Sequence, residues 1–184
     1  MQWTRSANVD ITSANLLPAM KSYLRQPQDW DDTGIVDAAE MAIDYIESTA
    51  HITVFDATYV YRLDTLADCI RLPRPPLTAV TSIVYDTTAT TGITWPTTEY
   101  DVLTTSHPGT IRLAKDKELP VESFNVVITY TAGYGDEFKT LAPDIRHAIQ
   151  IVTHEFYRNR GEVDLLRINP IVHKLQTGDE FIAY

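Results

Sequence analysis

The chain has almost no cysteine and no long apolar run. Its 184 residues include a single cysteine, Cys69, so no disulfide can form within the chain and no cysteine-based metal cluster exists. No apolar stretch approaches the length that spans a bilayer, and the first ten residues lack the apolar segment of a signal peptide. These absences predict a soluble protein made in a reducing compartment.

Basic residues are also scarce compared with acidic ones. The chain has 15 Lys and Arg against 25 Asp and Glu, which gives a formal net charge of -10. A protein that binds nucleic acid over its whole surface needs a basic face to neutralise the phosphates. This acidic composition argues against a protein of that class. The hydrophobic content of 44% is sufficient for a buried core, so wholesale disorder is not expected.

Threonine and turn residues mark a central β region. Residues 51–132 contain 17 of the 24 threonines, and threonine favours strands over helices. Turn residues bound strands that we predict at residues 53–61, 69–72, 80–85, 100–103, 110–113 and 126–131. Residues 86–98 are rich in threonine and poor in apolar side chains, and they are expected to form an exposed hairpin tip or a mobile loop.

Helices are predicted on both sides of the β region. Apolar residues recur at helical spacing between residues 11 and 24, at 35, 39, 42 and 46, and at 145, 149, 152 and 156. The predicted fold class is α+β, with a small helical core interrupted by an antiparallel β lobe. Its parts are an N-terminal helical part at 1–50, the inserted lobe at 51–132, a C-terminal core helix at 133–161, and an extended tail at 162–184 that Pro170 breaks.

Candidate catalytic and metal-binding groups are weak. His147 and His154 lie two helical turns apart, about 10 Å, which is too far to share one metal ion. The segment Gly133-Tyr134-Gly135-Asp136 lacks the known phosphate-loop patterns, so its glycines are expected to supply positive φ in a tight strand-to-helix connection. Cys69 lies in a predicted strand and is interpreted as a small buried residue. No cofactor and no metal are therefore predicted.

Two other classes of function stay open on the residues alone. A carbohydrate- or peptide-binding module would use the aromatic residues Tyr85, Trp95 and Tyr100 near the tip of the lobe, although such residues more often form a core. A small hydrolase would use His147, His154 or Cys69, but no motif supplies a matching base.

The second predicted helix carries an acidic stripe. Its members are three and four residues apart and share one face: Asp37, Glu40, Asp44 and Glu47. Like charges at this spacing mildly destabilise a helix. The stripe is either a solvated face or a functional one, which would repel DNA passing close by or pair with a basic edge of a neighbouring subunit.

The order of motifs along the chain resembles one protein family. Residues 126–160 read VVITYTAGYGDEFKTLAPDIRHAIQIVTHEFYRNR, and residues 70–84 read IRLPRPPLTAVTSIV. These segments resemble the head–tail connector (adaptor) proteins of tailed bacteriophages, which also occur in gene transfer agents. The resemblance is carried by a strand, the connection Tyr-x-Ala-Gly-Tyr-Gly, a helix with Pro-x-x-Ile-x-x-Ala-Ile and the closing Tyr-Arg-Asn-Arg. With the two opening helices, the resemblance covers residues 11–161.

The resemblance implies a structural, non-enzymatic protein of the virion neck, made in the host cytoplasm. Its copies would form a dodecameric ring beneath the portal protein and extend the channel through which DNA passes without specific binding. The ring would offer a docking surface to a stopper or tail-completion protein. No membrane contact is implied.

The C-terminal tail is assigned to the portal protein on the same resemblance. Residues 168–184 are too apolar for a solvating tail, and the core before them reads as complete. We therefore expect the tail to bury its apolar side chains on the portal, the alternative being a strap over its own helices. These side chains are Ile168, Ile171, Val172, Leu175, Phe181, Ile182 and Tyr184.

Overall fold

A computed structural model of the chain describes residues 2–7, 16–120, 122–159 and 165–180. These residues form two units, one built of β-sheets and one of α-helices. The sheet unit contains the first strand and Asp56–Gly133, whereas the helical unit contains the helices before Asp56 and after Gly133. The predicted α+β class, with four helices and antiparallel sheets, is confirmed. No helix in the described part of the chain is long and apolar enough to cross a membrane.

The sheet unit consists of a five-stranded and a three-stranded antiparallel sheet. The strand order is β1-β2-β8-β4-β5 in the first sheet and β3-β7-β6 in the second. The strands are β1 (Gln2–Ala7), β2 (Ala57–Leu63), β3 (Cys69–Arg71), β4 (Leu77–Asp86), β5 (Ile93–Thr94), β6 (Tyr100–Leu103), β7 (Thr110–Leu113) and β8 (Phe124–Ala132).

Period-two alternation places one face of the strands in the core of the sheet unit. Along β2 and β8, buried residues alternate with partly exposed ones, as expected when one face of a sheet is covered. Tyr59 on β2 pairs in register with Tyr130 on β8, and their rings stack with centroids 5.5 Å apart. Large side chains that are almost fully buried, such as Trp95, Ile83 and Ile128, fill the rest of this core.

The helical unit contains four helices. They are α1 (Leu16–Leu24), α2 (Asp32–Ala50), α3 (Pro143–Arg158) and α4 (Leu165–Glu180). The residues that follow α1 and α2, Arg25 and His51, both have left-handed backbones, with φ of 56° and 57°. A left-handed residue commonly ends a helix, and Pro27 also prevents α1 from continuing. Pro143 opens α3 at a position where a missing N–H costs nothing.

Apolar stripes of these helices meet in one core. Ile35, Ile43 and Ile46 from α2 pack with Ile149 and Val152 from α3, and all five are at most 2% exposed. The predicted helical periodicity therefore identified the buried faces of α2 and α3.

Three secondary-structure predictions differ from the structure. Strand β1, at the edge of the five-stranded sheet, falls within residues 1–50, which were predicted as the N-terminal helical part. Strand β5 falls within the predicted loop 86–98, and Trp95 immediately after it is buried. The C-terminal tail forms helix α4, which continues through Pro170. A proline inside a helix costs about 3 kcal/mol, and apolar burial on the helical core offsets it.

Candidate functional site

The acidic face of α2 has three exposed members. Asp37, Glu40 and Asp44 are exposed, and the side chain of Met41 between them is also 56% exposed. They lie on the side of the helix opposite the apolar stripe, since residues three and four apart share a face. We call this set, Asp37, Glu40, Met41 and Asp44, the acidic α2 face.

Glu47 does not belong to this face, which corrects the prediction of a four-residue stripe. Its side chain is only 4% exposed, and its carboxylate accepts a hydrogen bond of 2.8 Å from the backbone N–H of Val54. The helical phase explains the difference, because Glu47 falls at the edge of the buried arc formed by residues such as Ile43 and Ile46. Glu47 therefore holds the chain segment that follows α2 and is not available to DNA or to another subunit.

Hydrogen bonds anchor the start of α2 to α1 and α3. Lys21 donates to Asp29 at 2.6 Å and to Asp32 at 2.7 Å, and Tyr157 on α3 donates to Asp31 at 2.7 Å. The bond to Asp29 is the main cause that raises the pKa of Lys21, and it lowers the pKa of Asp29. The turn before α2 is thus fixed while it presents Trp30, which is 69% exposed.

The tail is largely part of its own subunit, which corrects the premise that it is surplus to its core. Ile168 and Val172 are fully buried, Leu175 is 9% exposed, and all three belong to the core of the helical unit. Ile171 is partly buried against the same core, and the Tyr45 hydroxyl donates a hydrogen bond to Asn169. The spacing of these residues gives α4 one apolar face, and this face packs on the helices of its own subunit. For these residues the structure therefore shows the alternative arrangement, a strap over the subunit's own helices.

The remaining residues predicted to contact the portal are Phe181, Ile182 and Tyr184. They lie outside the described residues, so portal binding by the end of the tail stays a prediction.

The aromatic residues near the tip of the β lobe are core residues. Trp95, Tyr100 and Tyr85 are 2%, 6% and 8% exposed, and the rings of Trp95 and Tyr100 lie 5.0 Å apart. Burial raises the pKa of Tyr100. The residues therefore do not form the open contact surface that a carbohydrate- or peptide-binding module requires.

The loop between β4 and β5 is held by hydrogen bonds. The carboxylate of Asp86 accepts bonds of 2.7 Å from the backbone N–H of Gly92 and from the side-chain amide of Asn125. The bond from Asn125 is the main cause that lowers the pKa of Asp86. This part of the predicted loop is exposed, as expected, but it is internally bonded.

The glycine-rich segment forms a tight connection at the end of β8. Gly133 and Gly135 have φ of 149° and 145°, which side chains rarely adopt. A Cβ on Gly133 would lie 2.5 Å from the backbone of Asp56. These facts confirm the interpretation that the glycines satisfy backbone geometry.

The two candidate histidines and the cysteine lie in separate places among the described residues. His147 is exposed, while His154 contacts the ring of Tyr23 edge-on at 6.4 Å. Within the described ranges, no group of three or more His, Cys, Asp or Glu residues is placed to hold a metal ion. Cys69 is exposed, so the prediction that it is buried was wrong. Residues alternate between faces along β3, and Ile70 is the one that points inward there.

Sequence analysis missed a second charged surface, on the three-stranded sheet. Arg112 on β7 lies in register between Cys69 on β3 and Asp101 on β6, and Arg71 lies two residues from Cys69 on the same side. All four side chains are exposed. The alternation of apolar and charged residues in Cys-Ile-Arg and Thr-Ile-Arg-Leu was the signal available in the sequence. We call Cys69, Arg71, Asp101 and Arg112 the arginine sheet face.

Solved structures with the same fold come from gene transfer agent (GTA) particles. A chain in the neck of an empty GTA particle, computed with C6 symmetry, matches with a TM-score of 0.80 and 17% identity. Chains in the virion of the native GTA particle and in its neck, computed with C12 symmetry, match with TM-scores of 0.77 and 0.71 and identities of 17% and 19%. Each match covers 96% of this chain and 95% of the other. No family model and no curated protein matches the chain.

Proposed function

We propose that the chain is a structural subunit of a virion neck, a head–tail connector (adaptor) whose copies form a ring beneath the portal protein. The observation that carries this proposal is the fold shared, over nearly the full length of both chains, with components of GTA necks and virions. The motif order in residues 70–84 and 126–160 supports it independently, because these motifs are features of the amino-acid sequence and not of the fold.

The proposed ring has twelve copies and extends the DNA channel from the portal. One neck in which a similar chain occurs was computed with C12 symmetry, and this supports the dodecamer. The net charge of -10 suits a channel through which DNA slides without specific binding, since like charges repel the phosphates. The lower side of the ring would offer the docking surface for a stopper or tail-completion protein.

A structural role accounts for the lack of a catalytic arrangement. Among the residues that the structure describes, no group of three or more His, Cys, Asp or Glu is placed to hold a metal ion, and Cys69 is exposed on a strand. An assembly subunit requires instead two different surfaces that fit neighbouring copies. The acidic α2 face and the arginine sheet face are such a pair of different surfaces.

Deleting the gene for the chain tests the proposed function. We expect particles with filled heads and no attached tails, and a reconstruction of complete particles should show a ring with the present fold directly beneath the portal. Particles that assemble tails normally without the chain, or a single copy in place of a ring, would refute the proposal.

A short truncation tests the proposed contact between the tail and the portal. A chain that ends at Glu180 loses Phe181, Ile182 and Tyr184 but keeps α4, so it should fold and fail to attach to heads. A chain that ends at Glu162 loses α4 as well, and it should be unstable even as an isolated subunit. Normal attachment of the chain that ends at Glu180 would show that the portal contact lies elsewhere.

A further inference from the structure

We propose that the arginine sheet face of one copy binds the acidic α2 face of the next copy in the ring. This inference rests on the proposed ring and names its subunit interface. It depends on two exposed surfaces of opposite charge, one on each unit of the chain.

The distribution of charge over the chain favours this pairing. The residues of the helical unit include 16 acids and 8 bases, whereas those of the sheet unit include 9 acids and 7 bases. The helical unit therefore carries most of the net charge of -10. Contact between two helical units would be repulsive, and a sheet surface that carries exposed arginines is the better partner for α2.

The two faces also match in local charge and spacing. Arg71 and Arg112 lie on neighbouring strands as diagonal neighbours, about 7 Å apart. Glu40 and Asp44 are one helical turn apart, with Cβ atoms about 6 Å from each other. Two guanidinium groups can therefore face two carboxylates at once, and an arginine is well suited to bind a carboxylate through two parallel hydrogen bonds.

These charges are available for a partner. Among the described residues, Arg71, Arg112, Glu40 and Asp44 form no ion pair within their own chain. Asp101 lies beside Arg112 on the same face and reduces its charge, so the arginine sheet face has one net positive charge. Against it, the acidic α2 face presents three carboxylates.

A small apolar contact can form at the centre of the interface. Met41 is exposed in the middle of the acidic α2 face, and Cys69 is exposed beside both arginines of the sheet face, as the cross-strand partner of Arg112 and two residues from Arg71. Methionine adapts to irregular surfaces, and Cys behaves as a small apolar residue. Since the two faces differ, the proposed contact is heterologous, and a heterologous contact produces a ring when the rotation closes.

Cross-linking through the single native cysteine tests this contact. The variant Met41→Cys, treated with a short bis-maleimide in purified rings or particles, should give a ladder of covalent oligomers on a denaturing gel. The same variant with Cys69→Ser should give no ladder. The variant Asp136→Cys, which keeps Cys69 and places the second thiol at another exposed site of the helical unit, is the matched control and should give none.

Charge reversal provides a second, independent test. We expect Arg71→Glu with Arg112→Glu to lower ring formation at least tenfold, and Glu40→Arg with Asp44→Arg to do the same. The four changes together should restore it to within about threefold of the original, while circular dichroism and thermal melting confirm that each variant is folded. Normal assembly of either double variant, or no recovery in the fourfold variant, would overturn the inference.

The outcomes separate this inference from the proposed function. If the unaltered chain forms a neck ring and the Met41→Cys variant gives no ladder, the proposed interface is wrong and the proposed function stands. If the unaltered chain forms no ring in particles, the proposed function fails and the interface fails with it.

Discussion

The contrast between Glu47 and Asp44 provides the sharpest test of the structure. Both are acidic residues of α2 at helical spacing, yet Glu47 is buried and bonded to Val54 while Asp44 is exposed. Replacing Glu47 with alanine should destabilise the isolated subunit strongly. Replacing Asp44 with alanine should leave its stability nearly unchanged.

The expected magnitudes follow from the hydrogen bond that is lost. The N–H of Val54, a fully buried residue, loses its acceptor in Glu47→Ala, and an unsatisfied buried donor costs about 1–3 kcal/mol. The space left by the side chain adds to this cost, so we expect about 2–4 kcal/mol. Asp44→Ala breaks no hydrogen bond of this kind and removes a repulsion with Glu40, four residues away, of about 0.2–0.5 kcal/mol. The free energy of unfolding should therefore stay unchanged or rise slightly.

Urea denaturation of the isolated subunit, followed by circular dichroism, measures these differences. The transition midpoint should fall clearly for Glu47→Ala and stay within error for Asp44→Ala, with unchanged slopes. Glu47→Gln is the matched control, because it keeps an acceptor oxygen at the same place and should lose less than Glu47→Ala. Equal midpoints for Glu47→Ala and Asp44→Ala would refute the distinction between buried and exposed acids.

Three further predictions concern stability. Ile168→Ala should destabilise the isolated subunit by about 2–5 kcal/mol in the same denaturation assay, because Ile168 is fully buried. A change under about 0.5 kcal/mol, which is typical of substitutions at the surface, would mean that α4 packs elsewhere. Gly133→Ala should cost more than about 1 kcal/mol, since its φ of 149° and the nearby backbone leave no room for a Cβ. Asp86 has a lowered pKa in the folded state, so its contribution to stability is present above its usual pKa of about 3.9 and is lost as the pH falls through the lower folded value. NMR titration should show this low midpoint, and Asn125→Ala should raise it.

The elements with a strong period were predictable from the sequence. The stripe Ile145, Ile149 and Val152 identified α3, and β6 and β7 have the predicted bounds of residues 100–103 and 110–113. In each case the local pattern and the tertiary burial agree, so the sequence signal suffices. Strand β1 was missed because its sequence, QWTRSA, has one large apolar side chain, Trp3, which is too few to show the alternation typical of a half-buried strand.

The errors at the candidate surfaces have a common physical origin. Glu47 was assigned to the acidic stripe by its spacing from Asp44, but it lies at the edge of the buried arc of α2, where its carboxylate accepts a hydrogen bond from the N–H of Val54 that only the folded chain brings close. Cys69 was assigned to the core by its residue type, yet the pleat of β3 turns Ile70 inward and Cys69 outward. Residue type and period therefore predict which elements form, whereas the side-chain partner at the edge of a face depends on tertiary contacts.

The net charge constrains how a ring of such subunits can form. Copies that each carry a charge of -10 repel one another, and this repulsion grows as neighbours approach. Attraction must then come from local contacts within a Debye length, about 8 Å at physiological ionic strength. Because exposed ion pairs contribute only about 0–1 kcal/mol each, a single contact between the two faces is weak for an isolated pair of subunits. In the proposed ring on a portal template, such contacts would repeat around the whole circle, so an interface too weak to join free subunits would still hold the assembled neck together.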